Sequence, residues 1–380
     1  MTLAIRELER RGALGREDVD AFLAAHAFPL VEGSSATFVW RGEAESVHLQ
    51  HWVFGLPSAQ PFTRLGETDL WYFIQELPPR SRVEYKLEIV PRGETRSRLV
   101  LDPLNPHLAN DPFGANSVCH GASYQRPEWT LPDDEARRGA LETLEVASEG
   151  LGRTVPVDVY LPARFRTRRR YPLLVAHDGG DYLRYSSLRT VLDNLIHRLE
   201  IPPMVVALTT SSDRLVEYAD HPGHARFLAE ELLPALEARY PLRREPAQRG
   251  LMGASFGGVA SLAAASRYPG RFGRLLLQSG SFAFADIGAG RRGPVFDPVV
   301  RFVNRFREEP QRVAERVFVS CGIYESLIYE NRSMVPILQR TGMEVRYVEA
   351  WDGHNWENWR DRLREGLSWL FPGPLWMVYE

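Results

Sequence analysis

Arg249-Gly250-Leu251-Met252-Gly253-Ala254-Ser255-Phe256-Gly257-Gly258 decides the reading of this chain. A short apolar run ends in Gly-x-Ser-x-Gly, and small residues follow through Ala265. The pattern predicts a strand, a tight turn at Ser255 and a helix over 256–268. A serine on such a turn projects its hydroxyl above a sheet, and small neighbours keep side chains clear of it. The amides at the start of the following helix face any negative charge that develops there. Ser255 is therefore a candidate nucleophile, with the N–H of Phe256 as one oxyanion donor. The competing reading is a glycine-rich turn with an ordinary serine.

Working outward, Tyr171–His177 and Pro203–Leu208 are solid apolar runs, as expected of strands buried on both faces of a parallel sheet. Thr154–Leu161 alternates like an antiparallel strand. Arg274–Gln278, Arg316–Ser320 and Glu344–Glu349 supply further strands, and residues 225–240 read as a helix. Strand and helix alternate, which predicts a wound sheet covered by helices on both faces.

A serine hydroxyl needs a base, and in a sheet of this kind the chain order is serine, acid, histidine. Of the 10 histidines, His354 follows the last strand. The acid is expected after the preceding strand, where Glu325 stands and Glu330 competes. Asp352 reads as a turn residue. A Ser–His dyad is the alternative. The loop His177-Asp178-Gly179-Gly180-Asp181-Tyr182 is positioned to give a second oxyanion donor, from Gly180 or Asp181, with Asp178 bracing the loop. Arg214 either meets the substrate by charge and stacking or pairs with Glu217. Trp351, Trp356 and Trp359 surround the histidine; Trp351 and Trp356 are candidates for substrate contact, with packing as the alternative.

Before residue 135 the grammar differs. Residues 4–26 read as one polar helix. Ala36–Trp40, Ser46–Gln50, Leu70–Ile74 and Val83–Ile89 are short β-prone runs separated by Gly, Pro and acidic residues. The expectation is a helix plus a small all-β, immunoglobulin-like sandwich over 1–135, followed by an α/β-hydrolase domain over 136–380.

The 380 residues carry 46 basic and 49 acidic side chains, a net charge of −3, with arginine supplying nearly all of the positive charge. That balance gives no case for nucleic acid or an anionic membrane as partner. Charges interrupt every apolar run near Met1, so neither a signal peptide nor a membrane span is expected, and a cytoplasmic location is the simplest reading. The two cysteines, Cys119 and Cys321, are expected to be buried thiols rather than a disulfide. No metal site and no cofactor is expected.

These motifs resemble the enterochelin esterase family, within the esterase D-like α/β hydrolases. The resemblance runs through Gly66-Glu67-Thr68-Asp69-Leu70-Trp71 and Asp102-Pro103-Leu104-Asn105-Pro106 in the first part. It continues through Arg214-Leu215-Val216-Glu217-Tyr218, Glu230-Glu231-Leu232-Leu233-Pro234 and Gly353-His354-Asn355-Trp356-Glu357-Asn358-Trp359-Arg360. It departs at Asn355, where the family has aspartate, and in the loop 178–182. The resemblance implies hydrolysis of the ester bonds of a ferric catecholate trilactone by a Ser255–His354–Glu325 triad, the iron belonging to the substrate. Feruloyl esters or other bulky aromatic esters, acyl transfer, and a non-catalytic binding role are the alternatives. Oligomeric state is not encoded in any of these motifs.

Overall fold

The computed structural model describes residues 2–285 and 293–374. The chain divides into two compact units. The first comprises Met1–Gln125 with two short later segments, Ile323–Glu325 and Ala350–Asn355; the second holds the rest. Residues 126–139 group with the second unit, ahead of the boundary expected near 135. Their anchor is Asn194, whose side-chain amide donates to the carbonyls of Trp129 (2.9 Å) and Leu131 (2.8 Å).

The first unit opens with two helices, Ala4–Glu9 and Arg16–Ala25, where one was expected. The break falls at Gly12, whose φ of 86° is open to glycine and disfavoured for other residues. Ten strands follow. They are β1 (Leu30–Glu32), β2 (Ser35–Arg41), β3 (Ala44–His51), β4 (Ala59–Pro61), β5 (Thr63–Arg64), β6 (Leu70–Glu76), β7 (Arg82–Pro91), β8 (Arg98–Val100), β9 (Leu108–Asp111) and β10 (Gly114–His120). They form two antiparallel sheets, one ordered β1-β2-β6-β5 and the other β4-β3-β7-β10-β9, with β8 beside β7. Alternation along β2, β3 and β7 places Phe38, Val47, Leu49, Val83, Tyr85 and Leu87 in one apolar core. Ile5, Leu8, Val19 and Phe22 of the helices pack with Val39, Leu70 and Tyr72 in a second.

The second unit is built on one mixed sheet. Its strands are β11 (Ala140–Ser148), β12 (Arg153–Leu161), β13 (Leu173–Ala176), β14 (Val205–Leu208), β15 (Arg249–Ala254), β16 (Arg274–Gln278), β17 (Arg316–Gly322) and β18 (Glu344–Ala350). Their order is β11-β12-β14-β13-β15-β16-β17-β18. The run from β14 through β13, β15 and β16 to β17 is parallel, and β12 pairs antiparallel with both β11 and β14. Strand β11 was not expected: its exposed positions mix Leu141 and alanines with Thr143 and Glu145, and Ser148 is buried, so no clean apolar alternation marks it. Successive residues of the central strands feed two cores: Leu173, Val175, Leu251 and Leu275 join one, Leu174, Ala176, Met252 and Leu276 the other. The sheet is therefore covered on both faces, as the solid apolar runs required. Cys119 and Cys321 are both buried thiols, not joined in a disulfide. Among the described residues no helix is long and apolar enough to cross a membrane.

Candidate active site

Ser255 stands between β15 and the helix Phe256–Arg267, with φ 57° and ψ −119°. That backbone is costly for a residue with a side chain, and it persists because the surroundings fix it. The two glycines of the motif have a steric reason. A Cβ on Gly253 would lie 2.4 Å from the carbonyl carbon and oxygen of Gly257, and one on Gly257 would lie 3.2 Å from His177 Cβ. The Ser255 amide donates to Gln278 O (2.9 Å), and its carbonyl accepts from the Ser281 amide (3.1 Å). The Ser255 and Ser281 hydroxyls are 3.1 Å apart. Ser281, unsignalled in the sequence, is thus the neighbour of the candidate nucleophile. The Phe256 amide occupies the first helical position, where no intrahelical acceptor exists.

The neighbouring loop follows β13. Asp178 has φ 53° and leads into the helix Gly179–Tyr185. Gly179 is required by packing: a Cβ there would sit 2.4 Å from Leu208 Cβ. Nothing lies within 4 Å of a Cβ placed on Gly180, so packing does not explain that glycine. The Asp181 amide donates to Asp178 O at 3.0 Å, which removes Asp181 from the expected oxyanion donors and leaves Gly180. Asp178 braces the loop as expected: its carboxylate accepts from Arg214 Nε at 2.9 Å. Burial pushes the Asp178 carboxyl upward, against the pull of Arg214. Arg214 also donates to Ala254 O (3.1 Å) and lies over the rings of Tyr218 and Phe256. The expected alternative, an Arg214–Glu217 pair, is overturned. Glu217 instead pairs with Arg153 (2.8 Å) and accepts from Ser211 and Ser212.

Behind this turn lies a buried histidine pair. His177 Nδ1 is 3.0 Å from Met252 O, an acceptor, so Nδ1 carries the proton and Nε2 accepts from His224 Nε2 at 3.1 Å. His224 Nδ1 is then bare, and it has no partner among the described residues. Burial lowers the pKa of both, that of His177 to about 4.

In the first unit, His354 Nδ1 lies 2.7 Å from Glu325 Oε2. The Glu325 carboxylate is fully buried, while the His354 side chain is 38% exposed. A carboxylate at Nδ1 holds the proton there and leaves Nε2 as a base. The carboxylate that His354 meets is thus Glu325, while Glu330 lies buried on the helix Ile328–Arg340. Asp352, expected to be a turn residue, is buried and ion-paired with Arg82 at 3.0 Å. Arg82 carries no motif, and nothing local in sequence connects it to residue 352. Trp351 is 43% exposed and lines an apolar recess of about 120 Å³ in the first unit, with Tyr324, Phe38, Leu49 and Val83. Trp356 is a correction: it is 9% exposed and packs edge-on against Tyr182 (5.2 Å) and Trp359 (4.8 Å), so it fills core rather than facing substrate. Trp359 is buried and donates to Ser279 Oγ.

The family model Esterase matches residues 148–370. The iron(III) enterobactin esterase of Escherichia coli K12 is 26% identical over 367 residues, covering 87% of this chain and 90% of its own. That of Dickeya dadantii is 29% identical over 251 residues, covering 64% of this chain and 57% of its own. Among solved structures, the ferric enterobactin esterase of Salmonella typhimurium superposes with a TM-score of 0.73 at 22% identity, over 88% of this chain and 93% of its own. A ferulic acid esterase superposes with a TM-score of 0.54 at 20% identity, over 62% of this chain and 98% of its own. The chain therefore belongs to the Esterase family, groups within it with the enterochelin esterases, and is a carboxylic-ester hydrolase.

Proposed function

We propose that Ser255, His354 and Glu325 act as one triad that cleaves the ester bonds of a ferric catecholate siderophore through an acyl-enzyme. The observation that carries this reading is the strained turn at Ser255, held at φ 57° between a parallel strand and a helix start. Strain of this kind is retained where function uses it. His354 Nε2 takes the Ser255 proton as Oγ attacks the ester carbonyl carbon. The amides of Phe256 and Gly180 stabilise the oxyanion. The carbonyl–alkoxy bond then breaks, and His354 protonates the departing alcohol. Water, deprotonated by His354, attacks the acyl group and frees Ser255. Glu325 holds the imidazole tautomer through its contact with Nδ1. The two antiparallel sheets of the first unit are read as the immunoglobulin-like domain that accompanies such a hydrolase, and a cytoplasmic site of action belongs to the same reading.

The catecholate substrate rests on relatives named as iron(III) enterobactin esterases that match most of this chain. The exposed ring of Trp351, three residues before His354, is the aromatic surface offered to it. The test is Ser255→Ala against wild type, read first by a fluorophosphonate probe. It is then read by mass spectrometry of products from a ferric catecholate trilactone, feruloyl esters and short acyl esters. Loss of labelling and of hydrolysis in the variant, with the trilactone preferred by wild type, is expected. Retained hydrolysis in Ser255→Ala overturns the triad. Preference for feruloyl or short acyl esters overturns the substrate, and acyl transfer to an added alcohol in place of water overturns hydrolysis.

A further inference from the structure

The segments carrying the acid and the base are fastened in the first unit through a dipeptide at the start of β7. Ser81 and Arg82 each reach one of them. The Ser81 hydroxyl is 2.6 Å from the Tyr324 hydroxyl, and Tyr324 immediately precedes Glu325. The Arg82 amide donates to Trp351 O (2.9 Å). Its guanidinium donates to Asp352 Oδ1 (3.0 Å), Asp352 Oδ2 (3.3 Å) and Asn355 Oδ1 (2.8 Å), the residues on either side of Gly353-His354. The other terminal nitrogen donates to Glu84 (2.7 Å), which in turn accepts from Asn116 on β10 (2.8 Å). Asp352 further accepts from the Gly353 amide (2.7 Å) and the Asn355 side-chain amide (2.8 Å). The two segments are also joined to each other: Ile323 N to Ala350 O (2.8 Å) and Tyr324 N to Asp352 O (3.1 Å).

We propose that Arg82, seconded by Ser81, is a positioning residue for ester cleavage: it fixes the turn Asp352–Asn355, and with it the orientation of His354 toward Glu325. The proposal rests on the reading of Glu325 and His354 as acid and base. Arg82 acts through Asp352, Asn355 and the backbone of Trp351. The Arg82 side chain is fully buried and serves three acceptor side chains with two terminal nitrogens. A planar fork does this, and a lysine ammonium at the end of a flexible stem does not reproduce it. A burial this complete, of a charge with its partners, is poor value as stability alone, since apolar replacements of buried ion pairs are often neutral or stabilising. Holding one loop conformation is what such a network contributes. Asn355, where the resemblance leads one to expect aspartate, fits the same picture. Its side chain both accepts from Arg82 and donates to Asp352, which a carboxylate does not do.

The test measures kcat and KM for an aryl ester, together with melting temperature, for the whole chain carrying Arg82→Lys, Arg82→Met, Tyr324→Phe, and the double variant Arg82→Met with Asp352→Asn. The double variant removes both charges, so no carboxylate is left buried without a partner. Arg92→Lys, an exposed residue just past β7, is the control. Arg82→Lys and the double variant are expected to lose about 10- to 100-fold in kcat with KM within about threefold of wild type, the size of effect seen when a supporting shell is removed. Tyr324→Phe is expected to lose about threefold. The double variant is expected to recover melting temperature relative to Arg82→Met alone without recovering kcat, which separates positioning from folding. Should Arg82→Met not fold, Arg82→Lys and Tyr324→Phe carry the decision. If these folded variants turn over within twofold of wild type, the proposal is overturned. If wild type itself fails to react with the fluorophosphonate, the reading of the triad has failed, and that result is distinct from the one just described.

Discussion

Ser255 and His354 are held in place from opposite distances along the chain. Around Ser255 the restraints are close in sequence. Gly253 abuts Gly257, and the end of β16 and the residues just past it supply Gln278 and Ser281. Around His354 the decisive partner, Arg82, lies 270 residues from Asp352. The first arrangement can be copied as a short motif; the second exists only after a β domain has folded and met a loop from the far end of the chain. The backing also differs in charge. Behind Ser255 stand two neutral histidines, His177 and His224, whereas beside His354 stands an ion pair.

The largest effect is expected from breaking the local arrangement. A methyl group on Gly253 meets Gly257 backbone at 2.4 Å, and backbone cannot rotate away as a side chain can. Gly253→Ala is expected to lower kcat/KM for an aryl ester by about 10³-fold or more, because the Ser255 turn must shift. The rate of fluorophosphonate labelling is expected to fall with it. Labelling at the wild-type rate refutes the view that Gly253 sets the turn.

Next comes the contact between Glu325 and His354. Glu325→Gln keeps the shape but takes the negative charge from Nδ1 of His354. A fall of roughly 10²- to 10⁴-fold in kcat is expected, with little change in melting temperature. Glu330→Gln is expected to leave kcat within about threefold, as the carboxylate at 2.7 Å from His354 is that of Glu325. Equal losses in both variants reassign the acid.

The contrast in distance explains what was legible in sequence. The central parallel strands of the second unit were readable because burial on both faces leaves no room for polar residues. The turn at Ser255 was readable because its glycines answer to each other across four positions. The pairing of Glu325 with His354 was readable from chain order alone, each lying just past the end of a strand. Arg82, Ser81 and Tyr324 were silent because their partners are set by tertiary folding and no spacing announces them. Asp352 looked like a turn residue for the same reason. Trp356 and Trp351 could not be told apart from sequence: both are tryptophans near the base, and only packing separates the buried one from the exposed one. The single helix expected over 4–26 failed at Gly12, whose positive φ breaks it into two helices that pack in one core.

Acid sharpens the difference in charge. Burial depresses the folded pKa of His177 to about 4 and that of His224 well below the ordinary histidine value, so the stability they contribute is present above about 6.5 and is lost as pH falls below it. Asp352 runs the other way. Burial raises it to about 6, the pull of Arg82 and its bonds to Asn355 and Gly353 notwithstanding, with Glu84 adding to the rise. Its contribution is therefore present below 3.8 and lost as pH rises through 6. Between pH 7.5 and 5 the two oppose each other, each on the order of 1–2 kcal/mol. Asp352→Asn removes only the second, so acidification over that range is expected to cost the variant more stability than it costs wild type. Urea unfolding at the two pH values measures this. A smaller loss in the variant reverses the sign assigned to Asp352.

The smallest expected effect separates the two tryptophans. Trp356→Phe takes an indole out of a core where it meets Tyr182 and Trp359 edge-on. Such pairs contribute about 0.5–1.5 kcal/mol beyond burial, and a smaller ring adds a packing defect. The melting temperature is expected to drop by several degrees while KM holds. Trp351→Phe removes indole surface that is already 43% exposed, so the melting temperature is expected to stay within about a degree or two. KM for an aryl ester is expected to rise by about two- to fivefold on the proposal that this exposed ring meets the substrate. The pair of variants is informative because the residues are of one type and five positions apart: identical chemistry, differing only in what surrounds it. A KM change confined to Trp356→Phe would place the substrate on the face that packing assigns to the core.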